Sequence, residues 1–530
     1  MIFILVGAHA AASVSQTNSR FTKAFTYIFL VLAVLGLLFL GGAAFYYEKD
    51  IQLVPIEVVL YFESLFLISG LGMGLTFFLA RASKYGTVVA SGWSRSKIWV
   101  AMILTVGTVI MTWMFTDLNR QTDLLLIRNE TTSEALRLLP PRVSQDQNAA
   151  LLYDRAALIL GDWKELPSWF IDSERADFDP ASPEAVKFLK DNARVLNLVY
   201  RASTLPYFYV PVDVNNIIST LMPNFLKDRN RSKFMSLQAR SRAKEGDLAG
   251  AIKDLAVMNR MTQHLQEQPG MLPLMYSFAM DSSRIKTLEY ILAAAPEATA
   301  DWITLPVHVS KSMRHELRES LFIERTASLQ VFSIIGLDTS KELDIFNYGF
   351  IRSFWRVFLF PNDVASTRRQ FDEWLRWVDR PYYKVSRQIM AMRDLMEKKP
   401  SGYLTSFFYI SYERLMLNTA QRDAQRGLSE LALAITAYKA AEGKYPPTLN
   451  SLVPQYMAEL PLDPFDGTPL KAKILEGGLD LFAQGPGKDE PTLYSLKGPI
   501  HFYLGQAVYQ KYRVEPAIKE SQERQKQKKK

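Results

Sequence analysis

Three apolar runs crowd the first 117 residues of this 530-residue chain, at about 25–46, 56–80 and 98–115. Each can cross a hydrocarbon layer as a helix, which takes roughly 20 residues. A helix satisfies its own backbone hydrogen bonds there, so the runs predict a membrane domain over 1–117 with three transmembrane helices. The loops set the orientation. Arg81, Lys84, Arg95 and Lys97 lie between the second and third runs with no acid among them, and Arg20 and Lys23 precede the first. The loop between the first two runs carries Glu48, Lys49 and Asp50, with no positive excess. The positive-inside tendency then places the N-terminus and loop 81–97 in the cytoplasm, and everything after about residue 116 outside it. The opening stretch 1–14 is apolar but short, and no basic residue precedes it. It reads as a non-spanning or interfacial lead-in, or as the product of a misplaced start codon, rather than a cleaved signal.

Within the second run, Glu57 lies near the outer interface. Glu63 lies deeper and is the candidate functional intramembrane acid, because a carboxylate in hydrocarbon needs a partner or a polar gap. Gly70, Gly72 and Gly74 follow at a spacing that suits close helix packing.

The chain-wide balance of 48% apolar and 22% charged residues conceals a split between this hydrophobic start and an ordinary globular remainder. The net charge of +8 is concentrated in loop 81–97 and in the tail Arg524, Lys526, Lys528, Lys529 and Lys530. That distribution is not a nucleic-acid footprint, and no nucleic-acid partner is expected. The absence of cysteine excludes disulfides, thiolate metal sites and cysteine nucleophiles.

From 118 to 400 apolar residues recur at three- and four-residue steps, which predicts a helical extracytoplasmic region. In the stretch 234–261, Leu237, Ala239 and Ala243 precede Gly246-Asp247, and Ala251, Ile252 and Leu255 follow. Gly246 should end one helix and Asp247 should cap the next. Ala149–Leu160 has similar spacing. These stretches resemble tetratricopeptide-like helical hairpins, which imply stacked helices offering grooves to partners, although no regular period of roughly 34 residues recurs. Residues 204–226 read as a loop-rich connection and 294–300 as a joint. Phe371, Trp374, Trp377, Val378, Tyr382 and Tyr383 fall at helical spacing and read as core more than as a binding stripe.

The most specific stretch is 428–470. A helix over 414–441, with Leu417, Leu428, Leu431, Ile435 and Tyr438 on one face, runs into Gly443, Tyr445 and Pro446. Pro461, Asp463, Pro464, Phe465 and Gly467 then supply turn chemistry. Segments 470–474 and 479–483 read as hairpin strands joined at Gly477-Gly478. This order resembles the globular domain of the major pseudopilin of type II secretion. The resemblance implies a small α+β module over 410–500, an extracytoplasmic address and an assembly role in a bacterial envelope. In that family the following loop holds calcium, but here Gly487 and Lys488 stand where acids are usual, leaving Asp489 and Glu490, so no metal is expected. The module lies behind three spans, so it should not polymerise as pilins do. Residues 505–530 read as a polar basic tail.

The loop Ser91, Gly92, Ser94 and its flanking basic residues resemble the cytoplasmic coupling turn of lipopolysaccharide-export-type ABC permeases. That implies a permease-like subunit working with a cytoplasmic ATPase. The usual acidic residue and a second set of three spans are missing.

No established motif of catalysis appears: no H-E-x-x-H, no G-x-S-x-G, no Walker A loop. The histidines are His9, His264, His308, His315 and His501. His308 and His315 would share a helix face two turns apart, on the order of 10 Å, too far for one ion. No catalytic residue, cofactor or metal site is expected. The sequence thus predicts a non-enzymatic scaffold or binding protein anchored in the bacterial cytoplasmic (inner) membrane, near secretion or pilus machinery. Its expected partners are the lipid bilayer and other envelope proteins. The alternatives are the permease-like subunit and an envelope enzyme.

Overall fold

Helix boundaries follow local chemistry at several points among the described residues. A computed structural model describes residues 95–161, 166–217, 225–294, 313–337, 349–398, 402, 412–487 and 498–528. Within them the protein is mostly helical, with one three-stranded antiparallel sheet. Apart from a single turn at Ser168–Ile171, the helices are α1 (Arg95–Leu138), α2 (Ala149–Leu160), α3 (Pro183–Asp191), α4 (Ala193–Ser203), α5 (Phe225–Glu245), α6 (Leu248–Gln266), α7 (Met271–Ala294) and α8 (Arg314–Leu337). There follow α9 (Gly349–Phe354), α10 (Phe360–Val378), α11 (Tyr382–Lys398), α12 (Tyr412–Glu442), α13 (Gln506–Tyr509) and α14 (Glu515–Lys528). π-Helical stretches Trp355–Leu359 and Gln510–Val514 join α9 to α10 and α13 to α14.

Caps account for several starts and stops. Asn148 Oδ1 accepts the Ala150 N–H at 3.1 Å and opens α2. Gly246 stops α5 at φ +88°, and the Asp247 carboxylate accepts the Gly250 N–H at 2.9 Å to open α6. Both boundaries fall where the sequence places them.

The chain divides into two compact units. The first comprises 1–127, 332–368 and 392–409; the second comprises 128–331, 369–391 and 410–530. In the first, Trp113 packs edge-on against Phe358 at 5.2 Å and donates to Ser353 Oγ at 2.9 Å. Arg356 clamps Asp117 through two bonds of 2.8 Å.

In the second unit, α5, α6 and α7 pack on one another and α2 packs on α4. Helix α12 lies against both α7 and the sheet. The strands β1 (Lys471–Leu475), β2 (Gly478–Ala483) and β3 (Ile500–Leu504) run in that order, with Lys471 facing Phe482 and Leu481 facing Phe502. The hairpin was expected; β3 was not. One apolar core joins the helical hairpins to the C-terminal module, from Tyr153, Phe234 and Leu255 to Leu428, Leu481 and Phe502. Phe371, Trp374, Val378 and Tyr382 are buried.

The first two apolar runs lie outside the described residues, as do Glu63, Ser91, Gly92, Ser94, His9, His308, 295–300 and 488–490. The third run is helical from Arg95, with side chains described from Ile110 onward. Among the described residues no helix is long and apolar enough to cross a membrane.

Candidate binding cavity

The motif most visible in the sequence folds as a self-contained turn. Gly443 follows α12 at φ +70°, and its N–H donates to the Lys439 carbonyl at 2.9 Å. The Lys439 ammonium lies 4.6 Å from the Tyr445 ring centre, and Pro446 is buried. Asp463 is fully buried, and its carboxylate accepts the N–H groups of Phe465 at 2.9 Å and Gln484 at 2.6 Å. The Pro461 carbonyl accepts Leu470 N–H and the Pro464 carbonyl accepts Tyr383 N–H, both at 3.0 Å. Phe465 meets Tyr382 edge-on at 5.6 Å. Gly467 sits at φ +76°, and a Cβ there would lie 2.7 Å from the Tyr383 ring, so glycine is required. These residues direct their polar groups to the fold.

The histidines are likewise absorbed. His264 is buried, and its Nε2 lies 3.0 Å from the Leu205 carbonyl and its Nδ1 3.1 Å from Tyr153 Oη. The carbonyl can only accept, so Nε2 carries the proton and Nδ1 accepts from tyrosine. Burial, helped by Arg260, lowers its pKa to about 4. His501 Nδ1 pairs with Asp480 at 2.8 Å, and His315 is exposed. Among the described residues no cluster of three His, Asp or Glu could hold a metal.

A different set of side chains converges. Helices α5, α7 and α12, strand β3 and the C-terminal helical segment enclose a cavity of about 650 Å³, within the range of small-ligand sites. Helical spacing builds its walls. Arg229, Ser232, Ser236 and Arg240 recur at three- and four-residue steps on α5. Ser282, Lys286 and Glu289 do so on α7, and Asn418, Arg422 and Gln425 on α12. Phe278, Ile500 and Phe502 add apolar surface.

The lining is basic. Arg175, Arg229, Arg240, Lys286, Arg422 and Arg513 face it, against Glu174, Glu289 and Glu520. Each carboxylate is already engaged. Glu289 accepts Arg513 Nε at 3.1 Å and the Tyr503 N–H at 2.7 Å. Glu174 accepts the Ser283 hydroxyl. Glu520 accepts Arg524 at 2.6 Å and lies 3.5 Å from Arg175. Arg240 bonds to the carbonyls of Ser173 at 2.6 Å and Arg175 at 3.1 Å and stacks over Tyr290 at 4.3 Å. Carbonyl dipoles engage its terminal nitrogens without cancelling its charge.

Lys286 is exposed toward the cavity and makes no hydrogen bond or salt bridge among the described residues. The surrounding protein still desolvates it and pushes its pKa down, while Glu174 opposes this and Arg422 and Arg513 add to it. Asn418 is only 3% exposed, yet neither its oxygen nor its nitrogen has a partner among the described residues. The same holds for Gln425 Oε1 and Arg240 Nε. Leaving such a group unpaired costs on the order of 1–3 kcal/mol. The cavity wall therefore combines a buried amide, unpaired among the described residues, with more cations than carboxylates.

None of these residues stood out in the sequence. The available signal was a polar stripe at helical steps on helices otherwise rich in core residues. Comparison with known proteins adds no name: no family model, no curated protein and no solved structure matches the chain.

Proposed function

We propose that the protein is a membrane-anchored binding protein of a bacterial envelope, a scaffold whose extracytoplasmic body carries a ligand cavity, rather than an enzyme. The observation that carries this reading is the cavity, with walls drawn from the helical hairpins, the C-terminal module and the last helix. Its carboxylates are engaged by protein donors, and among the described residues Lys286 and the Asn418 amide have no hydrogen-bond partner, which suits holding a charged ligand better than moving protons.

The remaining features agree. The α5–α6 hairpin, with its glycine stop and aspartate cap, fits the tetratricopeptide-like reading. Helix α12 laid on an antiparallel sheet fits the pseudopilin-like one. The shared core ties that module to the helices, which argues for docking rather than entry into a filament. Membrane attachment rests on the three apolar runs and on exposed apolar residues of α1, namely Ile110 (52%), Met111 (65%), Met114 (59%) and Phe115 (65%).

The test is affinity purification of the tagged full-length protein in mild detergent, with mass spectrometry of what accompanies it. Envelope proteins are expected, with secretion or pilus components among them. A stoichiometric cytoplasmic ATPase would overturn the scaffold in favour of the permease-like subunit.

A further inference from the structure

We propose that the cavity is a binding site for a small organic phosphate ester bearing hydroxyl groups, a phosphorylated polyol or sugar. The inference rests on the cavity being the protein's binding site, as argued above, and names what it takes.

Charge sets the first requirement. Six cationic side chains face three carboxylates, so the lining is positive by count even with Arg513 paired to Glu289 and Arg175 paired to Glu520 and to Asp177 outside it. A phosphate monoester brings roughly −1.5 to −2 at neutral pH. Geometry sets the second. Arg240, Lys286 and Arg422 reach the cavity from three different helices, α5, α7 and α12. Arg240 acts there by charge, because its terminal nitrogens already donate to carbonyls. Positive charge arriving from several directions suits a tetrahedral group with oxygens on every side; a carboxylate presents two oxygens in one plane.

The unpaired amides set the third. Asn418 Oδ1 and Gln425 Oε1 are acceptors without partners among the described residues. A phosphate dianion has no proton to give them, but a hydroxyl does. The ligand therefore carries hydroxyls beside its phosphate. Size sets the last. About 650 Å³ far exceeds the roughly 30 Å³ share of a single water, and Phe278, Ile500 and Phe502 can flank a carbon skeleton.

The chain contains no cysteine, so Ser282→Cys introduces one thiol on the cavity wall. Full-length Ser282→Cys protein in detergent is treated with a maleimide, alone or with sn-glycerol 3-phosphate, glucose 6-phosphate, inorganic phosphate, glycerol or glucose. The expected result is labelling slowed at least fivefold by the two esters, less by inorganic phosphate and not by glycerol or glucose. Adding Lys286→Met or Asn418→Asp should raise the ester concentration needed at least tenfold, with the melting temperature as a control for folding. Added salt should weaken the protection. A parallel sample in phosphatidylglycerol nanodiscs separates two sources of the same chemistry. Protection there without soluble ester assigns the phosphate to a lipid headgroup. Labelling that no phosphate slows overturns the ligand class and leaves the cavity standing. A thiol that never labels overturns the cavity, and the binding-protein reading with it.

Discussion

Two clusters of charge sit on the same pair of helices, α7 and α12, and they treat charge in opposite ways. In the first, Asp281 is fully buried and accepts Arg284 at 2.8 Å and Arg426 at 2.7 Å. Burial alone would raise its pKa, but Arg426 and Arg284 outweigh burial and hold the carboxyl well below the usual range. In the second, one helical turn beyond, Lys286 lines the cavity with Arg422 and Arg240; the carboxylates there pair with other lining groups, Glu289 with Arg513 and Glu174 with Ser283, and leave Lys286 without an ion pair among the described residues. The residue types and the helical spacing are alike. What separates a structural cluster from a binding site is whether the protein supplies the opposite charge itself.

The comparison breaks most directly at Asp281. Asp281→Ala leaves two arginines facing each other without their carboxylate, which should cost about 3–5 kcal/mol. Urea denaturation of the purified protein measures it. A loss under about 1 kcal/mol would mean that this cluster is as open as its neighbour. A smaller but similar effect is expected where a carboxylate serves backbone donors. Asp463→Ala removes acceptors from Phe465 and Gln484, so it should cost about 2–4 kcal/mol. The cavity should still bind its ligand, because the turn contributes nothing to its lining.

His264 sharpens the contrast through pH. Its folded pKa of about 4 lies below the usual 6.5. Between those values the unfolded chain takes up a proton that the folded chain refuses. Stability should therefore fall as pH drops through that window, by about 2 kcal/mol between pH 7 and 5. Melts of the parent and of His264→Gln at both pH values isolate the contribution. Equal pH dependence in the two proteins would show that His264 is solvated.

Local order was legible in the chain. The helix expected over 414–441 spans Tyr412–Glu442, and the strands expected at 470–474 and 479–483 span Lys471–Leu475 and Gly478–Ala483. These boundaries depend on neighbouring residues, such as Gly443 as a stop and Gly477 in a turn. Strand β3 was not legible, because its pairing with β2 is settled by contacts some 20 residues apart in sequence. Helix α5 was misleading in composition. Lys227, Arg229, Arg231, Lys233, Arg240, Arg242 and Lys244 are of residue types that mostly stay exposed. Yet Arg231, Lys233 and Arg240 are buried, with Arg231 donating to the Tyr153 carbonyl and Lys233 to that of Ile171. Partners of that kind are backbone atoms supplied by the fold, which no side-chain pattern reveals. The cavity was hidden for the same reason: Arg240, Lys286, Asn418 and Arg513 meet only after four elements pack.

The smallest expected effect is the most telling. Lys286→Met removes a charge that has no hydrogen bond or salt bridge to lose among the described residues. It also relieves repulsion from Arg422 and Arg513. Stability at neutral pH should change by no more than about 0.5 kcal/mol, as for a surface substitution. The pH dependence gives the sign. With the folded pKa below the unfolded 10.5, the folded chain holds fewer protons between the two values. The parent should gain stability as pH rises through that interval, and Lys286→Met should not. A loss as large as that of Asp281→Ala would mean that Lys286 has an internal partner after all. The two clusters would then be of one kind, and the cavity would have no charge to spare for a ligand.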